Sequence, residues 1–302
     1  MFRRMTRSMS KGLISSSPST GTSKARKRRV KSTTSKNGKR SKTTKTSFTP
    51  PKDWKQTWDL VEELRKDRTA PVDKFGSEAL PLRPPKVSKE TFRYQTLIAL
   101  MLSSQTKDPV VGAAMRRLQS QLKPNGLTLK SVSKASESNI RELIYGVGFQ
   151  NKKAVYIKKA TDMIQNDFDF KVPDTFEGLV KLPGVGPKMA LIVLNVAFDK
   201  CVGVSIDTHL HRMLQQLNWV RRNSKNPEQT RKDLESWLPR KCWNTMNLTW
   251  VGLGQEIQTE SEKLIRKALK CSDPKAAIRL LKRLFGGPGK LNRAAERAGI
   301  DL

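Results

Sequence analysis

Apolar residues along this 302-residue chain recur at the three-to-four spacing of helices, and no run alternates convincingly as a β-strand does. Trp58, Leu60, Val61 and Leu64 open the pattern, with order expected from Trp54. A proline-rich break follows at 80–85. Leu97, Ile98, Leu100, Met101 and Leu102 are then apolar nearly all round, which marks a buried helix. The periodicity predicts further helices over 110–122, 138–145, 152–166, 175–181, 187–198, 208–217, 227–238, 243–252, 255–269 and 274–285. Pro187, Pro227 and Pro274 fall at first-turn positions, where the missing N–H costs nothing. A Gly-Gly-Pro-Gly break and a short helix close the chain, and the sequence assigns no function to 286–302. The predicted fold class is all-α.

Residues 1–53 break this pattern. They are Ser, Thr, Lys and Arg with almost nothing large and apolar, too little to offset ordering entropy, so a disordered basic tail is predicted. The first 52 residues hold 16 Lys and Arg and no acid, while the remainder holds 43 basic and 27 acidic residues. The helical part is therefore basic in its own right. With a net charge of +32, a polyanion is the first partner to expect. The opening MFRRMTRSMSKGLI resembles a mitochondrial presequence, and KARKRRVK at 24–31 is a cluster of the nuclear-import or nucleic-acid-binding kind. The expected address is the nucleus, with the mitochondrion as a second; one solvated basic tail is the plainer reading. No stretch approaches the roughly 18 apolar residues of a membrane span, and no membrane partner is expected. Cysteines at 201, 242 and 271 are too few and scattered for a disulfide framework and fit a reducing compartment.

The most informative stretch is Leu182-Pro183-Gly184-Val185-Gly186-Pro187-Lys188. A helix ends, two glycines allow a tight turn with positive φ, and a new helix starts at Pro187. Backbone N–H groups of Gly184, Val185 and Gly186, with the positive end of the next helix, suit one DNA phosphate. A lone G-x-G is more often a packing corner. Here it lies in a basic helical chain, and Asp207 of V-S-I-D-T-H follows 19 residues after Lys188.

At these residues the chain resembles the endonuclease III family of helix–hairpin–helix glycosylases, in its eukaryotic branch. Supporting segments are LMLSSQTKD at 100–108, LIYGVGFQNKK at 143–153, LPGVGPKMA at 182–190, VSIDTHLHR at 204–212, ESWLP at 235–239 and VGLGQ at 251–255. The resemblance implies two helical lobes flanking a DNA-binding cleft: a six-helix barrel over 91–204, and a discontinuous lobe from 54–90 and 205–302. It implies a bifunctional glycosylase and AP lyase acting as a monomer on double-stranded DNA with an oxidised pyrimidine or an abasic site. Lys188 would be the nucleophile and Asp207 its carboxylate. A lysine at a helix start, in a cationic and partly dry site, is expected to release its proton more readily. Asp207 suits a helix cap equally well, and both roles can hold. Gln105 would fill the space left by the extruded base. Val147 and Phe149 would wedge the opposite strand, Lys107 and Lys153 would touch phosphates, and His209 would line the site. His211 is expected to be structural or phosphate-facing. The two histidines, 209 and 211, are too few ligands for a metal site.

The chain departs from the family in one respect. Many relatives hold a four-iron, four-sulfur cluster through C-x6-C-x2-C-x5-C, and the corresponding positions here are Gln258, Ile265, Ala268 and Pro274. No iron–sulfur cluster and no other cofactor is expected, and basic helices over 259–285 would take its place. Two rivals remain: a monofunctional glycosylase, against which Lys188 argues, and a non-catalytic helix–hairpin–helix DNA-binding protein, which would need neither Lys188 nor Asp207.

Overall fold

A computed structural model describes residues 48–301. Among them the elements are helical and no strand forms: α1 (Trp54–Leu64), α2 (Pro71–Phe75), α3 (Lys89–Ser103), α4 (Asp108–Gln121), α5 (Leu129–Lys134), α6 (Glu137–Leu143), α7 (Gln150–Asp167), α8 (Phe176–Lys181), α9 (Pro187–Phe198), α10 (Thr208–Gln216), α11 (Pro227–Glu235), α12 (Trp243–Thr259), α13 (Ser261–Ala268), α14 (Pro274–Leu284) and α15 (Pro288–Arg297). Short polar side chains start many of them. Ser88, Thr128, Ser136, Thr175, Asp207, Asn226 and Asp273 each accept a hydrogen bond from the N–H three residues on. Such a cap satisfies one of the donors that a helix start leaves open.

Two apolar cores form. The first takes Phe92 to Ala197, on α3 to α9. Seven helices therefore surround it, one more than the six expected over 91–204, because Thr128 caps the short α5. The second core joins α1 to α10 through α15. All six tryptophans belong to it: Trp58, Trp219 and Trp250 are buried in it, and Trp54, Trp237 and Trp243 pack against it. Trp219 lies 4.9 Å from Trp250 and 5.4 Å from Trp237, ring centre to ring centre.

The periodicity placed a helix end at Gly252 and a fresh start at Gln255. Instead α12 runs unbroken to Thr259, and the break falls at Glu260. Both glycines serve close packing. A Cβ on Gly252 would stand 2.2 Å from the Arg65 guanidinium, and one on Gly254 would stand 3.2 Å from Met213 Sδ. Arg65 cannot yield. It is 1 % exposed and pairs with Glu256 at 2.7 Å and Asp73 at 2.6 Å. Lys267 joins the same group through Glu256 at 3.1 Å and Asp67 at 2.7 Å. Removing one member of such a buried set leaves another charge unpaired, which is why the set resists rearrangement.

Gly252→Ala is expected to cost about 2 kcal/mol through overpacking against a fixed guanidinium. Gly254→Ala faces a flexible thioether and should cost less than about 1 kcal/mol. Urea denaturation compares the two, and equal losses would mean that Arg65 moves aside.

Candidate active site

The hairpin between α8 and α9 is built by its two glycines in different ways. Gly184 sits at φ +82°, and a Cβ there would press on Tyr156 at 3.0 Å. Gly186 has an extended backbone, φ −96°, so the positive φ expected of it is not used. Among the described residues no other atom lies within 4 Å of where its Cβ would be. Its small size therefore serves the open side of the turn, where a ligand backbone can approach. Val185 is 7 % exposed, and its N–H donates to Leu182 O, so it packs inward. The N–H groups of Gly184, Gly186, Lys188 and Met189 have no acceptor among the described residues. Open donors of this kind at a turn and helix start suit an anion.

Lys188 is the second residue of α9, and its side chain is 40 % exposed. Its Nζ stands 3.2 Å from Asp207 Oδ2. The other oxygen of Asp207, Oδ1, accepts the Leu210 N–H at 2.7 Å and caps α10. Burial alone would raise this carboxyl. The Lys188 charge, the Leu210 N–H and the Lys188 hydrogen bond outweigh burial and hold it below the ordinary carboxylate value. Asp207 is thus kept ionised, half-buried and aimed at an amine.

Asp108 and Gln255, to which the sequence assigns no role, add a contact near Lys188. Asp108, the first residue of α4, accepts a hydrogen bond from Gln255 Nε2 at 2.7 Å. Burial outweighs the Gln255 amide and the Lys188 charge and raises its carboxyl above the ordinary value. Gln258 Nε2 lies 3.3 Å from Nδ1 of the exposed His209. Asp108 and Gln255 end two of the family-like segments, LMLSSQTKD and VGLGQ, and that position was the only signal available. His211 bonds Thr230 Oγ1 at 2.6 Å and links α10 to α11.

The other sequence-predicted residues divide. Gln105 is exposed in the left-handed region at φ +50°, and Phe149 is 60 % exposed at φ +57°. Lys107 is exposed at the start of α4. Val147 requires correction: it is 3 % exposed and part of the first core, so it cannot wedge a strand from there. The same loop instead exposes Tyr145 at 74 %. Lys153 also requires correction. It is 6 % exposed, and its Nζ donates to Leu102 O, Ser104 O and Thr106 Oγ1 at 2.7, 2.6 and 3.1 Å. It clamps the loop that carries Gln105 to α7 and is closed to a phosphate. Gly148 completes that contact, since a Cβ would stand 2.3 Å from Gln105 O.

The cluster positions of the family carry no thiolate. Ile265 and Ala268 are fully buried in the second core, Pro274 opens α14, and Gln258 faces His209. Cys271 is buried, which pushes its thiol up to about 11. An amide, two aliphatic side chains and a proline do not fit an iron–sulfur cluster. Among the described residues no group of His, Cys, Asp and Glu could hold a metal ion.

The hairpin and the lysine that follows it place the protein in the helix–hairpin–helix class. Residues 98–240 match the family described as HhH-GPD superfamily base excision DNA repair protein. The chain is 43% identical to Endonuclease III-like protein 1 of Gallus gallus over 208 residues, 68% of this chain and 71% of that one. It is 43% identical to the Endonuclease III homolog of Schizosaccharomyces pombe over 209 residues, 69% of this chain and 57% of that one. A solved non-covalent endonuclease III–DNA complex shares the fold, with a TM-score of 0.52 and 24% identity over 74% of this chain and 98% of that one. The chain belongs to the endonuclease III family.

Burial pushes the Lys153 ammonium from the ordinary 10.5 down to about 8. Across that window the folded state binds fewer protons here than the unfolded chain. Stability from this group is therefore gained as pH rises toward 10.5 and lost as pH falls through about 8. Lys153→Met removes the dependence. The stability of the parent relative to this variant should grow between about pH 7 and about pH 10 in urea titrations. A constant difference would show that Lys153 keeps its proton across the window.

Proposed function

We propose that the protein is a bifunctional DNA glycosylase and AP lyase of base-excision repair. It acts as a monomer on double-stranded DNA that carries an oxidised pyrimidine or an abasic site. The observation that carries this reading is the Lys188 amine held 3.2 Å from the Asp207 carboxylate at the start of the hairpin's second helix. DNA binding alone needs the hairpin and the basic surface; it does not need a nucleophile with a proton acceptor beside it.

The hairpin N–H groups hold a phosphate, which positions the duplex without reading its sequence. The damaged nucleotide leaves the stack, at a cost of a few kcal/mol that damage lowers. Gln105 enters the vacated space, and Phe149 presses on the opposite strand. Lys107 contributes a phosphate contact, and His209 lines the site. Lys188 passes a proton to Asp207, and its free electron pair forms a bond to C1′. The glycosidic bond breaks, and the base leaves with that bond's electron pair and takes up a proton. Opening of the sugar ring gives a Schiff base between Lys188 and C1′. The cationic imine acidifies the C2′ proton. Removal of that proton sends its electrons toward the imine and expels the 3′ phosphate, so the strand is cut on the 3′ side. Water then hydrolyses the imine and frees Lys188. The residues at the cluster positions supply no redox group, and no step needs one.

Borohydride reduces a Schiff base to a stable crosslink. A duplex with one thymine glycol should therefore be trapped by the parent protein and not by Lys188→Ala. Base release without a crosslink would indicate a monofunctional glycosylase, and binding with neither would leave a DNA-binding module. Asp207→Asn separates two roles, because asparagine also caps helices. Its stability should stay within about 0.5 kcal/mol, while strand cleavage falls by about 10²-fold or more.

The segments of the tail read as targeting signals, 1–14 and 24–31, lie outside the described residues. We propose that the tail directs the protein chiefly to the nucleus and adds salt-dependent affinity for DNA. Removing residues 1–52, with their 16 Lys and Arg, should reduce nuclear import of a fluorescent fusion and flatten the dependence of DNA affinity on salt. Unchanged import and an unchanged salt slope would overturn both roles.

A further inference from the structure

Lys188 and Asp207 come from different cores. Lys188 stands on α9 of the first, and Asp207 caps α10 of the second. Their 3.2 Å contact depends on how the two cores are set against each other. We infer that Gln255 and Gln258, one turn apart on α12, are positioning residues that set the helix starts on either side of Lys188. This rests on Lys188 and Asp207 acting as the chemical pair.

Gln255 makes a hydrogen bond that runs from the second core to the first. Its Nε2 donates to Asp108 Oδ2 at 2.7 Å, and its Oε1 accepts the Val72 N–H at 2.8 Å. A carboxylate can only accept and this backbone N–H can only donate, so the amide has one orientation. Asp108 opens α4, within the field of the Lys188 charge. Three residues along the same face of α12, Gln258 reaches His209, which lies two residues beyond Asp207. The register of α12 is itself held. Glu256, next to Gln255, is 1 % exposed and pairs with Arg65 and Lys267. One face of a helix pinned by buried charge thus holds the start of α4 with one amide and the start of α10 with the next. Both glutamines lie beyond residues 98–240, the segment that carries the family match.

The test uses the full chain in single-turnover cleavage of a duplex with one abasic site. Affinity is measured separately on a tetrahydrofuran analogue that cannot react. Gln255→Leu and Gln258→Ala should each slow cleavage about tenfold or more, the cost of a small misplacement, with affinity unchanged within about twofold. Gln255→Glu keeps the size but cannot donate to Asp108, and should be as slow as Gln255→Leu. Because Gln255 acts through Asp108, Asp108→Asn combined with Gln255→Leu should lose no more than the worse single variant. If Gln255→Leu fails to fold, Gln258→Ala, at an exposed contact, carries the test alone. Cleavage at the parent rate, or losses of Gln255→Leu and Asp108→Asn that simply multiply, would overturn the inference. Failure of the parent itself to trap through Lys188 would overturn the underlying reading instead.

Discussion

One carboxylate does two jobs here, and the site depends on keeping them together. Asp207 gives one oxygen to the Leu210 N–H and the other to Lys188. The first bond starts α10 and fixes the side chain. The second faces the amine across the boundary between the two cores. Because the helix start fixes the carboxylate, its orientation toward the amine comes from an interaction that the fold needs anyway. The same economy appears at the hairpin, where N–H groups that any helix start leaves open suit an anion.

The all-α class, the boundaries of α9 and the lysine–aspartate pair were legible in the chain. Helical periodicity is strong there, and the motif residues are local. What stayed hidden was mostly long-range. Gly252 and Gly254 looked like a helix break because glycine ends helices more often than it packs against arginine. Arg65, which explains Gly252, lies nearly two hundred residues away in the chain. Lys153 is a phosphate contact by resemblance, and a lysine near a helix start is usually exposed. Only the fold shows three oxygens converging on it. Val147 differed from Phe149 in burial alone, which a two-residue spacing in a loop does not reveal.

The positions that the resemblance gives to cluster ligands begin at the end of α12. There Ile265 and Ala268 fill the second core, and Gln258 contacts His209. Nearby, Arg65, Asp73, Glu256 and Lys267 tie the end of α1 to α2, α12 and α13 by charge. Glu256 Oε2 and Arg65 Nε remain buried without a partner among the described residues. A set of this kind favours one arrangement over others, because any slip of α12 would strand a charge away from water.

The confinement of all six tryptophans to the second core gives the protein a built-in optical asymmetry. Indole emission follows that half of the molecule, since the first core contributes no indole. Circular dichroism sees helices in both halves. If the two cores melt as one unit, the two signals will trace a single curve. If the contacts between them give way first, emission and ellipticity will part company, and the gap will measure how firmly the half that carries Lys188 is joined to the half that carries Asp207.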